Sequence, residues 1–183
     1  MTTALLVIDF QKKLVDTEPL PGDIAMVSAN INALMQRARQ TGAAVVLIQH
    51  EDDTALVRGS DAWALSAALV TDPSDHLVGK RTPDSFLGTG LGALLAAHAV
   101  NRVVICGYAS EFCVDTTVRR AAANGLTVTL AADAHTTHDK PHANAASIRA
   151  HHNATLSNIR SFGPKISAEP TSDITFDAPT QAG

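Results

Sequence analysis

The sequence predicts an α/β fold: a doubly wound, mainly parallel six-stranded sheet with helices on both faces, a three-layer sandwich. Three observations predict it. Continuous apolar, β-rich runs such as ALLVIDF at 4–10, AAVVLIQ at 43–49 and RVVICG at 102–107 suit strands covered on both faces. Between them lie segments whose apolar residues recur every three or four positions, the signature of a helix with one buried stripe. The two kinds alternate along the chain, and right-handed crossovers then build a parallel sheet.

Taken in order, 4–10 is the first strand. Ile24, Val27, Ile31, Leu34 and Met35 mark the stripe of a helix over 24–40, ended by Gly42. The second strand is 43–49, followed by a charged loop, HEDDTALVRGSD, and a short helix over 63–69. A third strand at 76–78 runs into Gly79 and Lys80, and 91–99 is helical. The fourth strand, 102–107, leads through a loop to a helix that starts near Cys113 and ends at Asn124, where Gly125 supplies the left-handed residue. Strand five is 127–132, a helix over 141–153 carries Pro141 in its first turn, and a weak sixth strand follows at 159–166.

With 183 residues the chain is read as a single domain, 1–183, with a loose tail from about 170. Hydrophobic residues at 45% against 17% charged exclude extensive disorder. A net charge of −4 with scattered basic residues excludes a nucleic-acid partner. No run reaches the roughly 20 apolar residues that span a bilayer, so no membrane partner is expected. Met1 leads directly into the first strand without a basic flank, so no signal peptide is expected. Cys106 and Cys113 lie seven apart on different kinds of element, which argues against a disulfide and for a reducing cytoplasm.

Doubly wound sheets bind ligands beyond the carboxyl ends of their strands. That rule selects Asp9 after strand one, Lys80 after strand three and Cys113 after strand four. Cys113 falls in the first turn of its helix, where free N–H groups and the dipole favour a thiolate, and the Lys80 ammonium pushes the same way. A thiolate attacks a carbonyl or nitrile carbon, and Asp9 can shuttle the proton between thiol, leaving amine and water. The amides of Ala109 and Cys113, in the loop GYASEFC, can form an oxyanion hole.

The motifs ALLVIDFQ, VGKRTPDSFLGTGL and VVICGYASEFCVDTTVRRAAANGLTVTLAADA, in that order, closely resemble the isochorismatase-like cysteine hydrolase superfamily, which includes nicotinamidases and N-carbamoylsarcosine amidases. The resemblance spans about 4–155 and implies a Rossmann-like α/β fold. It implies Asp9 as general base, Lys80 as its charged partner and Cys113 as nucleophile. It also implies a cis peptide between Tyr108 and Ala109 that aims the Ala109 amide into the oxyanion hole. The activity implied is hydrolysis of a small-molecule amide or related C–N bond through a thioester, by a homo-oligomer, dimer or tetramer. A thiol-dependent hydrolase of an ester or lactam, and a non-catalytic binding member of the fold, are the alternatives. Nicotinamidases hold a metal with an Asp-x-His pair and further histidines after strand two. Here that place reads QHEDDTALVRGSD, so neither a metal nor any other cofactor is expected, and nicotinamide is not the expected substrate. Isochorismatase proper lacks the cysteine, so Cys113 points away from vinyl-ether cleavage.

The remaining candidates are positional. Gln11, Phe86, Tyr108, Glu111 and Phe112 are candidate substrate-pocket walls, each equally open to plain packing. Cys106, inside VVICG, is a buried structural cysteine. Arg81 is a surface or interface charge. Asp133, ending strand five, either orients a loop or lines the cleft. His135, His138, His142, His151 and His152 form either a metal cluster or a solvated helix start, and Pro141 between the best-spaced pair favours the second.

Overall fold

In the computed structural model, which describes residues 1–177, the apolar runs pair into one six-stranded sheet of order β3-β2-β1-β4-β5-β6. Its strands are β1 (Thr3–Ile8), β2 (Ala44–His50), β3 (His76–Lys80), β4 (Arg102–Tyr108), β5 (Thr127–Thr136) and β6 (Ile166–Glu169). All five pairings are parallel. β1 takes the centre because every one of its side chains is apolar except Thr3, and all six are buried.

The helices are α1 (Lys12–Val15), α2 (Ile24–Gln40), α3 (Leu91–Ala97), α4 (Asp115–Ala123) and α5 (Ala145–Ser157). The two-residue alternation of β1 divides the core. Leu5 and Val7 face α2, where they meet the predicted stripe of Val27, Ile31, Leu34 and Met35. Leu6 and Ile8 face the opposite layer, made by Leu91 and Leu95 of α3, Val118 and Ala121 of α4, and Leu156 of α5. Each such Leu, Ile or Val contributes about 1.5–3 kcal/mol by leaving water.

Connectivity places the site. The chain lays down β1, β2 and β3 outward to one edge, then returns to set β4 against the other side of β1. The reversal opens a crevice at the carboxyl ends of β1 and β4. Gly107 lets these strands come together: its φ is +116°, and a Cβ there would lie 2.2 Å from the Ile8 carbonyl oxygen. The peptide that follows, Tyr108–Ala109, is cis, as the resemblance implied.

Four expectations need correction. Residues 63–69 form turns rather than a helix; Leu65 bridges to Gln11, and the Ala64 carbonyl accepts from the Lys12 amide. α5 starts at Ala145 instead of Pro141, because the Asn144 side chain accepts from the Ser147 amide and caps it. Pro141 lies in a turn closed by Lys140 and Ala143. The sixth strand lies at Ile166–Glu169, later than the expected 159–166. The stretch expected to be loose from about 170 is held down as far as it is described. The Arg37 guanidinium donates to the carbonyls of Thr171 and Ile174, while Ile174 and Phe176 bury their side chains in the α2 layer. The rest of that stretch, 178–183, lies outside the described residues.

Candidate active site

Asp9 follows β1 directly and turns the chain with φ of +47°, a left-handed conformation that aspartate tolerates better than most residues. Its amide donates to the Ile48 carbonyl at 2.8 Å, which anchors the turn to β2. Lys80 closes β3, in register with His50 at the end of β2. β3 lies two strands from β1, roughly 10 Å at the usual spacing, so only a long side chain laid across the end of β2 can reach Asp9. Lys80 makes that crossing with its side chain fully buried. Its Nζ donates to Asp9 Oδ2 at 2.7 Å, to the Thr82 carbonyl at 3.1 Å and to Cys113 Sγ at 3.3 Å, and lies 3.4 Å from His50 Nδ1. Asp9 Oδ1 is buried and has no hydrogen-bond partner among the described residues.

Cys113 belongs to one π-helical turn, Ser110–Val114, that runs into α4. The Ala109 carbonyl accepts from the amides of both Phe112 and Val114, which fixes that turn to the end of β4. The structure therefore brings Asp9, Lys80 and Cys113 together from three strand ends. It corrects the expected resting thiolate. Burial and then the Asp9 carboxylate push the Cys113 thiol up to about 12, and the Lys80 ammonium only partly offsets them. Cys106 is fully buried with its thiol pushed up by burial alone, consistent with a structural role.

Cys113 and Asp9 open onto a cavity of about 270 Å³ whose walls are Leu14, His50, Leu56, Pro83, Tyr108, Ala109 and Phe112. Of the positional candidates, Tyr108 and Phe112 do line it, and the Tyr108 hydroxyl is 2.9 Å from His138 Nδ1. Gln11 does not. It is fully buried, its Nε2 donates to the carbonyls of His50 and Trp63, and its Oε1 accepts from the His50 amide, so it staples the loop after β2 to β1. Phe86 packs against the core layer of α3, α4 and α5, outside the cavity walls. Glu111 turns the other way: its Oε1 accepts from Thr137 Oγ1 at 2.8 Å and pairs with Lys140 at 3.3 Å. It borders a separate cavity of about 480 Å³ with His142, His151 and His152.

The walls that position alone did not single out are Leu14, His50, Leu56 and Pro83. His50 had a signal, since it ends β2 as Asp9 and Lys80 end their strands. Burial and the Lys80 ammonium push its imidazole below its ordinary range, so it is neutral at neutral pH. Asp133 proves to orient a loop, with Oδ1 accepting from the amide and hydroxyl of Thr171. His135 is fully buried between Ser110 Oγ at 2.8 Å and Asn153 Oδ1 at 2.9 Å, where it supports the turn that carries Cys113. Among the described residues no three His, Cys, Asp or Glu side chains converge as metal ligands, and no helix is long and apolar enough to cross a membrane.

Comparison with known proteins agrees with this architecture. The Isochorismatase domain matches residues 3–164. A streptothricin hydrolase of Streptomyces noursei is 39% identical over 140 residues, which are 75% of this chain and 51% of that protein. A ureidoacrylate amidohydrolase of Methylobacterium radiotolerans is 31% identical over 127 residues, 69% of this chain and 46% of that protein. The chain thus spans about half the length of these curated relatives. The crystal structure of an isochorismatase family protein superposes with a TM-score of 0.84 at 34% identity, covering 92% of this chain and 98% of that one. The domain match across nearly the whole parallel sheet and the shared fold have one consequence: the chain belongs to the isochorismatase family.

Proposed function

We propose that this protein is a cysteine-dependent hydrolase that cleaves an amide or related C–N bond of a small molecule through a thioester. The observation that carries it is the single buried Lys80 ammonium bonded to both the Asp9 carboxylate and the Cys113 sulfur, two groups that line the cavity. Family relatives named as a hydrolase and an amidohydrolase support the reaction class. The cavity, about 270 Å³, falls just under the roughly 300–1,000 Å³ of drug-sized sites, which fits a small substrate.

The protonated resting thiol sets the order of steps. Asp9, through its unpartnered Oδ1, takes the thiol proton as Sγ bonds to the substrate carbonyl carbon, so the thiolate never has to accumulate. The carbonyl π pair moves to oxygen, where the amides of Ala109 and Cys113 hold the negative charge. Asp9 returns the proton to nitrogen, the C–N bond breaks, and ammonia or an amine leaves the thioester behind. Asp9 then deprotonates water as it attacks the thioester; collapse expels the sulfur, which regains its proton, and the acid departs. Lys80 holds Asp9 and the sulfur in one geometry throughout. A reducing cytoplasm, which suits two free cysteines, and a homo-oligomeric state complete the proposal.

Replacing Cys113 with Ala tests it. Ammonia release across a panel of small amides is expected to vanish while far-UV circular dichroism and the unfolding midpoint stay close to those of the parent. Undiminished release by that variant would refute the mechanism.

A further inference from the structure

We infer that the site accepts acyl groups that are uncharged and largely apolar, and discriminates against those carrying a carboxylate. This rests on the amide-hydrolase proposal and deepens it. Beyond the reacting groups and Ala109, the cavity walls are the apolar Leu14, Leu56, Pro83 and Phe112 together with His50 and Tyr108, whose hydroxyl is 2.9 Å from His138 Nδ1; no lysine or arginine is among them. Asp9 is the one acidic wall, and its Oδ2 is taken by Lys80.

The cations nearby are already committed. The Lys80 Nζ is enclosed by Asp9, Thr82, Cys113 and His50, and its side chain is fully buried. Lys140, 5.8 Å from the centre of the Phe112 ring, pairs with Glu111. Arg81, which pairs with Asp53 and Glu51, and Arg58, 3.9 Å from Glu51, do not line the cavity. His50 is the remaining basic wall, and its imidazole is neutral beside Lys80. A carboxylate entering this cavity would lose its water without gaining a countercharge, and would face Asp9. A methyl or phenyl group would displace water from four apolar walls and gain by doing so.

Three amides of equal reach separate the cases: hexanamide, the monoamide of adipic acid and 6-aminohexanamide. Hexanamide is expected to show kcat/KM at least 100-fold above that of the carboxylate amide and above that of the ammonium amide. In the Phe112→Arg variant, which puts a cation on a half-exposed wall position, the carboxylate amide should gain at least tenfold relative to hexanamide. A second readout needs no turnover: labelling of Cys113 by N-butyl-2-chloroacetamide and by N-chloroacetyl-β-alanine, each normalised to its rate with 2-mercaptoethanol. The uncharged probe is expected to be at least tenfold faster. If none of the amides is hydrolysed but the probe preference holds, C–N hydrolysis fails and the pocket inference stands. Equal probe rates, or a carboxylate amide turned over as well as hexanamide, would overturn the inference.

Discussion

Replacing Asp9 with Asn should move two properties of Cys113 in opposite directions. Asn keeps the shape and, like Asp, tolerates the left-handed backbone at this position, where φ is +47°. In the parent the thiol sits at about 12, with Asp9 the second cause after burial. A nearby like charge is worth about 1–3 pKa units. Taking about two units as typical, its removal raises the thiolate fraction at pH 8 from about one part in ten thousand to about one in a hundred. The intrinsic nucleophilicity of a thiolate falls with its pKa at a Brønsted slope of about 0.4–0.5, which returns a little under one factor of ten. Labelling of Cys113 by iodoacetamide at pH 8 should therefore accelerate roughly tenfold, with Lys80 now facing the thiolate as its sole counterion. Turnover should fall by about 10²–10⁴, because the group that receives the thiol proton is gone. Peptide mass spectrometry of the time course measures the first, with buried Cys106 as the internal control, and ammonia release measures the second. Slower labelling in Asp9→Asn would refute the assignment of Asp9 as the group that holds the thiol protonated, and retained turnover would refute its role as base.

Two further outcomes follow from positions around the site. The pKa of His135 is lowered by burial to about 4, so the unfolded chain, with its ordinary histidine near 6.5, takes up a proton first on acidification. The stability held by neutral His135 is complete above pH 6.5 and declines as pH falls toward 4, by an amount on the order of 3 kcal/mol. Urea unfolding between pH 7 and pH 4.5 should show a smaller acid loss for His135→Gln than for the parent; parallel curves would refute this. Gly107→Ala should cost about 3 kcal/mol or more, because its φ is +116° and its Cβ would lie 2.2 Å from the Ile8 carbonyl oxygen. A variant that unfolds at the parent urea midpoint would show that β1 and β4 can separate at no cost.

Much of the fold was legible because burial on both faces leaves a plain mark in a sequence. ALLVIDF has no polar residue until Asp9, so the strand, its central place and the residue at its exit are read together. The stripe of α2 was equally plain, and Gly42 marked its end. What failed was local. The 63–69 segment has helix-compatible residues, yet Gln11, stapled to the Trp63 carbonyl, and Lys12, bonded to the Ala64 carbonyl, hold it as turns. The segment from about 170 looked loose from its Thr, Asp and Pro content. The order of its described part, up to residue 177, comes from Arg37, more than 130 residues earlier, which bonds the carbonyls of Thr171 and Ile174.

By itself the sequence determined that Asp9, Lys80 and Cys113 follow strands of one parallel sheet, since such strands all deliver their carboxyl ends to the same edge. Tertiary structure alone decided that Lys80 spans β2 to touch both partners, that Gln11 is a staple and His50 a wall, and that Cys113 rests protonated. Those properties depend on distance and burial between groups far apart in sequence: Lys80 and Asp9 are 71 residues apart, and Asp9 and Cys113 are farther still. Strand order sets them, and strand order is a property of the folded sheet.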